Sequence, residues 1–239
     1  MLVNADFKGL EVVTAAFLSQ DPVLCKEIID GVDIHAENQR CFSLPSRLIA
    51  KVLGFRIIYG GTEYSFAQDP DFSSVHYSVK QWKKVIDDYY TKYSGLKKWH
   101  TSLVQEATTT GRVTGPTGRF WKFEPKLKNG DYEWPITQIK NYPVQGTGSD
   151  LVMIARVSLM RRMKSLGLTA ILISSIHDSL CLDCPENEYV TVGKLVKSVI
   201  QDVPANFGRL FKVEFNLPLN CEVLYGMNMN EMDELPLTD

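Results

Sequence analysis

Long apolar runs are missing from this sequence. The best stretches, Val12 to Leu18 and Ala170 to Ile173, fall well short of the ~18 residues that cross a bilayer, so no transmembrane helix is expected. The opening residues, MLVNADFKG, carry neither a basic n-region nor an apolar h-region, and no signal peptide is expected either. Cysteine is scarce and odd in number, five in 239 residues, which argues against a disulfide framework. Cys181 and Cys184 form one CxxC, but no second CxxC or nearby His pair completes a zinc set. They read as strand thiols in a reducing compartment, and the expected address is cytoplasmic, in a bacterial or infected host cell. An excess of one charge sign is also lacking. Lys and Arg number 26 against 28 Asp and Glu, a net charge of −2, so a nucleic-acid partner would need a local basic surface. What is present is ordinary for a soluble globular chain: 44% hydrophobic, 23% charged and 10% aromatic residues, enough for one large domain or two modest ones.

The order of elements is legible from periodicity and caps. Leu2 to Asp6 reads as a short strand ending in an exposed carboxylate, and Leu10 to Leu18 as a helix. Asp21-Pro22 opens a second helix through Ile29, and Asp33 caps a third from Ile34 to Phe42. Ser46 is a good N-cap for a helix to about Tyr59, which Gly60-Gly61 ends. Ser78 to Gly111 is helical with a break near Ser94-Gly95. Arg112 to Trp134 reads as hairpins, with turn signals at Gly115-Pro116 and Asn129-Gly130. A helix from about Gly146 to Ser165 leads to strands Thr169 to Ser174 and Leu180 to Cys184, joined by a turn at His177-Asp178. A helix of about Glu186 to Val203 and strands near Val213 to Phe215 and Asn220 to Leu224 close the chain. No repeats or low-complexity segments occur, and the order favours an α+β fold.

Three constellations carry chemistry. Arg47, Lys51, Phe55 and Tyr59 are spaced by four, so they form one stripe on a helix of roughly 20 Å. Two cations suit a triphosphate and two aromatics suit a base; an amphipathic helix with core aromatics and snorkelling cations gives the same pattern. Asp6 at a strand end and Asp178 in a tight turn could together hold two Mg²⁺ ions about 4 Å apart for in-line phosphoryl transfer, although each alone reads as a cap or turn residue. Asn141 to Leu151 reads as a polar loop at a helix start. There Asn141 and Gln145 could bond minor-groove acceptors shared by all base pairs, or simply cap the helix.

The ordered motifs resemble a family. Asp6-Phe7-Lys8-Gly9-Leu10-Glu11 resembles motif A of family A DNA polymerases, the class of bacterial DNA polymerase I and many phage replicases. Arg47-xxx-Lys51-xxx-Phe55-xxx-Tyr59-Gly60 resembles motif B, the O helix of the fingers. Ile176-His177-Asp178 resembles motif C, and Asn141 to Leu151 the NxPVQGTxxDL stretch of the palm's long helix. Asp33-Ile34-His35, Gly111-Arg112-Val113 with Thr117-Gly118-Arg119, and Tyr225-Gly226-Met227-Asn228 fall in order beside similar family elements, so the likeness spans nearly the whole chain. It implies an α+β polymerase palm with a small antiparallel sheet and mostly helical fingers: palm at 1–20, fingers at 21–140 with the O-helix-like segment at 46–59, and palm again at 141–239 with the motif C hairpin at about 169–184.

The resemblance also implies roles. Asp6 and Asp178 would be the metal-binding catalytic carboxylates for two Mg²⁺ ions, with the backbone carbonyl of Phe7 as a further ligand. Arg47, Lys51 and His35 would hold the dNTP triphosphate, Lys51 also donating a proton to pyrophosphate. Glu11 would reject ribonucleotides at the 2′ position, Phe55 would stack on the incoming nucleotide, and Tyr59 would pack near the template base. Asn141, Gln145, His177 and Arg119 would touch primer-template DNA. Catalysis then needs positioning and charge neutralisation rather than a covalent enzyme intermediate.

Four departures stand out. Ser179 occupies the position where the family usually has Glu, Arg56 follows Phe55 where a small residue is common, and the segment between Phe42 and Arg47 is short. In the family a thumb comes before motif A, whereas here Met1 precedes Asp6 by five residues. The expectation is the C-terminal half of a split, phage-like DNA polymerase, with a separate chain supplying the thumb and a 3′–5′ exonuclease, and with no membrane partner; a truncated chain is the alternative. A single-subunit RNA polymerase shares motifs A, B and C but not Glu11 and the Asn141 to Leu151 stretch. A non-catalytic polymerase-like DNA-binding subunit would not need Asp6, Asp178, Arg47 and Lys51 together.

Overall fold

A computed structural model describes residues 1–128 and 130–237. Strand β1 (Leu2–Phe7) is followed by helices α1 (Leu10–Ser19), α2 (Pro22–Ile29), α3 (Ile34–Cys41), α4 (Arg47–Ile58) and α5 (Glu63–Gln68), then a 3₁₀ turn at Pro70–Phe72. Next come α6 (Val79–Lys92), α7 (Ser94–Thr110) and the short strands β2 (Arg112–Thr114), β3 (Phe120–Lys122), β4 (Lys126–Lys128) and β5 (Asp131–Glu133). The chain continues through α8 (Ile136–Ser165), β6 (Ile171–Ile176), β7 (Ser179–Asp183), α9 (Tyr189–Gln201), α10 (Val203–Phe211), β8 (Cys221–Asn228) and β9 (Glu231–Glu234). The fold is α+β with small antiparallel sheets. It divides into one unit of Met1–Leu10 with the chain from Thr147 onward, and another of Glu11–Gly146. No helix of the described residues is long and apolar enough to cross a membrane.

The first unit is organised by a five-stranded sheet in the order β6-β7-β1-β8-β9. Period-two alternation in β1 buries Val3, Ala5 and Phe7 and leaves Asp6 exposed on the other face. Helix α9 packs across β1 and β8, bringing Val192, Val196, Val199 and Ile200, all 0% exposed. At roughly 1.5–3 kcal/mol per buried aliphatic side chain, this contact is a main support of the sheet. The thiols of Cys181 and Cys184 are buried and free.

The second unit is held by polar groups that reach between helices. Asp21 is fully buried, and its carboxylate accepts from Val23 N–H at 3.0 Å and Leu24 N–H at 2.9 Å, capping α2. The same carboxylate accepts from Gly95 N–H at 2.6 Å and Leu96 N–H at 3.2 Å, in the first turn of α7. One side chain thus satisfies orphan donors of two helices 74 residues apart. Gly95 is required for this approach, because a Cβ there would lie 2.7 Å from the Asp21 Cα. Nearby, Lys92 Nζ donates to Asn38 Oδ1 at 2.8 Å and pairs with Glu27 at 2.8 Å, while the Tyr93 hydroxyl lies 2.7 Å from Glu27 Oε2. These contacts tie α2, α3 and the end of α6 together.

The expected order of elements is present, and four local readings are corrected. The Asn141 to Leu151 stretch is helix rather than loop, since α8 begins at Ile136 with Pro143 inside it. An interior proline costs ~3 kcal/mol, but Ile139, Val144 and Leu151 are each 0% exposed, and their burial outweighs it. Residues 213–215 form no strand; Lys212 at φ +60 ends α10, and Phe215 instead packs on Phe207 at 5.6 Å. The helix expected up to Val203 is two, α9 and α10, with Pro204 in the first turn of the second. Helix α5, absent from the sequence reading, is a six-residue element, too short to show a period. It is secured by a Thr62–Ser65 capping box and by Phe66 against Trp82 at 5.6 Å. The turn signal at Asn129 lies outside the described residues; Gly130 is a turn residue with φ +91.

Replacing Asp21 by Ala leaves amides at two helix starts without an acceptor, so a loss of about 2–4 kcal/mol in urea-unfolding free energy is expected; a change below 1 kcal/mol would contradict the double-cap role. A second expectation concerns His100, which is 2% exposed and whose pKa is pushed down to about 3 by burial and the neighbouring Lys140 charge. The unfolded chain binds this proton near pH 6.5 and the folded chain does not, so stability is intact above pH 6.5 and falls as pH drops toward 3. The slope approaches about 1.4 kcal/mol per pH unit, and unfolding curves of His100→Leu should lack that component.

Candidate active site

In the sheet-bearing unit, β1 ends where the β6–β7 hairpin turns. Phe7 N–H donates to the Asp178 carbonyl at 3.1 Å, and Asp6 pairs in register with Ser179 on β7. Asp6 on β1 therefore lies one register step from Asp178, which sits in the β6–β7 turn beside Phe7. His177 makes the turn at φ +53, a left-handed conformation uncommon for a non-glycine residue and found disproportionately at functional sites. Its side chain is exposed and Asp178 is half-buried. The Ser179 hydroxyl donates to the Ile176 carbonyl at 2.9 Å, so it serves the turn.

On its other side β1 pairs with β8, and Asp6 stands in register with Glu222. Registered neighbours share a face, and Glu222 is exposed like Asp6. The sequence reading missed Glu222, because nothing in the local pattern of β8 marks it; only the β1–β8 register brings it beside Asp6. Two carboxylates side by side destabilise a sheet unless a cation sits near them, and Lys8 and Lys197 line a pocket with Glu222. The carboxylate and carbonyl donors here are hard oxygens, the set Mg²⁺ takes. Among the described residues no group of three or more His, Cys, Asp or Glu could hold a metal by itself. The residues fit an ion that keeps part of its shell as water and substrate phosphate, as Mg²⁺ does at phosphoryl-transfer sites.

In the helical unit, α4 is capped by Ser46, whose hydroxyl accepts from Ile49 N–H at 3.2 Å, and ends at Gly60 with φ +82. Ile49, Ala50, Leu53, Ile57 and Ile58 form its buried face. The Arg47, Lys51, Phe55 and Tyr59 stripe runs along the opposite side, the two cations exposed and the two aromatics half-exposed. Its aromatics are thus partly buried, between the core placement of the amphipathic alternative and full exposure. His35 on α3 joins the stripe: its ring lies 5.9 Å from that of Phe55, and Lys51 Nζ sits 5.8 Å from the Phe55 centroid. Burial holds the His35 pKa below its usual value, helped by the Arg47 and Lys51 charges, and its Nδ1 is buried without a hydrogen-bond partner among the described residues.

Arg47 is engaged by Asp33, Nε to Oδ2 at 2.7 Å, which keeps the Asp33 carboxyl below the usual range. Arg56, one of the unusual residues of this helix, bridges Asp69 at 2.9 Å and Asp71 at 3.0 Å, fastening the 3₁₀ segment to α4. Half-exposed pairs of this kind contribute ~1 kcal/mol at most. At the far end of the stripe, Gln145 Nε2 donates to the Tyr59 hydroxyl at 3.1 Å. Asn141 precedes Gln145 by one turn of α8, and both avoid the buried Pro143–Val144 side. Arg119 is exposed in the β2–β3 turn, and Glu11 lies in the first turn of α1. His35, Arg47, Lys51, Phe55, Tyr59 and Gln145 thus gather along one face of α4, with Asn141 one turn before Gln145 on α8, whereas Arg119 and Glu11 stand on other elements.

The sequence profile described as DNA polymerase family A matches residues 1–231. The chain belongs to this family. Among curated family A relatives, DNA polymerase I of Geobacillus stearothermophilus is 25% identical over 237 residues, covering 95% of this chain and 25% of that protein. The thermostable DNA polymerase I of Thermus filiformis is 29% identical over 242 residues, covering 97% of this chain and 27% of that protein. A DNA polymerase of Bacillus phage SP01 is 23% identical and covers 100% of this chain and 27% of that protein. This family member therefore spans about a quarter of the length of the relatives it matches. Its fold is similar to part of the POL domain of Pol1 from M. smegmatis, solved with DNA primer-template and dNTP. That likeness has a TM-score of 0.79 at 22% identity, covering 94% of this chain and 39% of the other.

Proposed function

We propose that this chain carries the catalytic part of a DNA-directed DNA polymerase, adding dNTPs to a primer 3′ end on a DNA template. The observation that carries the reading is the placement of Asp6, at the end of β1, next to the β6–β7 turn that holds Asp178, in a family A chain. The sheet-bearing unit then corresponds to the palm and the helical unit to the fingers, with boundaries near 1–20, 21–140 and 141–239. Asp6, Asp178 and the Phe7 carbonyl would hold two Mg²⁺ ions, which when bound supply activation of the 3′ hydroxyl and charge neutralisation on the leaving pyrophosphate.

The remaining work falls to side chains. Arg47 offers a fork of donors and Lys51 a point charge to the triphosphate. Phe55 offers its half-exposed ring to the base, and Lys51 can release a proton to the departing pyrophosphate. His35, kept neutral at physiological pH by burial and the two cations, offers a hydrogen bond without adding a charge. Glu11 crowds a ribose 2′ hydroxyl, while Asn141, Gln145, His177 and Arg119 contact the duplex. Tyr59, held by Gln145, packs against the templating base. The triphosphate must displace Asp33 from Arg47.

The decisive experiment is primer extension with Mg²⁺ by the chain alone and with any polypeptide that co-purifies with it, using dNTPs and then rNTPs. Extension with dNTPs, reduced at least about 10³-fold by Asp178→Ala, is the expected result; extension with rNTPs alone would favour the RNA polymerase reading, and none under any condition would favour a non-catalytic subunit. Asp33→Asn keeps the α3 cap oxygen but removes the charge competing for Arg47, so the KM for dNTP should fall about two- to five-fold at unchanged kcat. An unchanged or higher KM would remove Asp33 from the binding step.

A further inference from the structure

Strands β2 and β3 form a two-stranded sheet in the helical unit, and its two faces differ in character. On the inner face Val113 is 1% exposed and packs with Leu103 and Ala107 of α7 and Ile139 of α8, and Trp121 lies against the same cluster. Trp121 also covers Gly146 of α8, where a Cβ would come within 2.3 Å of its ring. The hairpin is thereby fixed on two helices, one residue from Gln145, whose amide meets the Tyr59 hydroxyl.

The outer face carries Arg112, Thr114, Phe120 and Lys122, all exposed. The register sets Arg112 directly opposite Lys122 and Thr114 opposite Phe120, so two cations and a ring share one face. The Arg112 guanidinium carbon sits 5.8 Å from the Phe120 ring centroid, and Phe120 is 50% exposed. Like charges directly opposite each other destabilise a sheet, yet among the described residues neither Arg112 nor Lys122 has an ion pair. The Glu106 carboxylate is engaged by Thr114 N–H at 3.0 Å, and Glu124, two residues beyond Lys122, pairs with neither cation. Opposed cations and an open aromatic ring on a rigid support complement a ligand that brings negative charge together with a flat apolar plane.

We propose that this face is a platform for an unpaired nucleic-acid strand, with a base stacked on Phe120 and the adjoining phosphates held by Arg112 and Lys122. A single strand supplies both chemistries within one nucleotide. A duplex keeps its bases stacked on one another and closed to Phe120, and an acidic peptide brings charge without the flat plane. That the strand is DNA rests on the polymerase reading; the stacking and the charge pairing do not depend on it.

The test is the fluorescence anisotropy of labelled oligo(dT) titrated with the full chain, without dNTP, beside labelled oligo(rU) and a blunt DNA duplex. Phe120→Ala should weaken oligo(dT) binding about ten-fold, and Phe120→Trp should keep it. Arg112→Gln with Lys122→Gln should lower the slope of log K against log salt by about 1–2. All three side chains are exposed, so the variants should unfold at the wild-type urea midpoint; if the double variant does not fold, each single Gln variant reads a slope change of about 0.7. No binding of oligo(dT), or binding that Phe120→Ala leaves unchanged, overturns the platform. An equal loss on the blunt duplex overturns the unpaired strand as its occupant, and tighter binding of oligo(rU) through Phe120 overturns the DNA assignment. Because no turnover is read, a chain that extends primers but binds oligo(dT) independently of Phe120 refutes the platform and not the polymerase reading. A chain that binds oligo(dT) through Phe120 but never extends a primer does the reverse.

Discussion

The sheet-bearing unit depends on β1 being hydrogen-bonded on both edges. Its partners, β7 and β8, are about 175 and 215 residues away in sequence, and the antiparallel register with each is what puts Ser179 and Glu222 on either side of Asp6. A slip of one residue would send Asp6 to the face occupied by Val3, Ala5 and Phe7. That slip is opposed by the burial of those three residues beneath α9, so the hydrophobic alternation of a six-residue strand also fixes where the carboxylate points.

The helical unit solves a different problem, the ends of helices. Asp21 caps α2 and reaches the first turn of α7, and the Glu27, Asn38, Lys92 and Tyr93 contacts bind α3 to the same frame. Helix α3 carries Asp33 and His35 at its start, so this buried polar framework sets the position of groups that stand beside α4. The hydrophobic face of α4 is anchored separately by Ile49, Leu53 and Ile57. Its opposite face serves polar work, and the cations and aromatics there are partnered by α3 at one end and by Gln145 of α8 at the other.

Much of this was legible locally. The four-residue spacing of Arg47, Lys51, Phe55 and Tyr59 needs only helix geometry to become a stripe, and Ser46 and Gly60 mark the ends of that helix by cap chemistry. The short strand with Asp6 and the turn with Asp178 were likewise visible. Less legible was the start of α8, where Asn141, Pro143, Gly146 and Gly148 look like a loop although Ile139, Val144 and Leu151 keep a helical period. Propensity there pointed one way and burial the other, and burial prevailed. Residues 213–215 have strand-like composition, but a β-strand exists only if a partner edge is available, and Phe215 is drawn to Phe207 instead.

By itself the sequence determined most of the helices and strands and several of their caps, the carboxylate at the end of β1 and the one in the β6–β7 turn, and the family to which the chain belongs, because these rest on periodicity and short ordered motifs. Tertiary structure decided that Glu222 stands beside Asp6, that Asp33 holds Arg47, that Gln145 meets Tyr59, and that Asp21 reaches the first turn of α7. Each is a contact between residues far apart in the chain. Such contacts follow from strand register and helix packing, which no local pattern encodes.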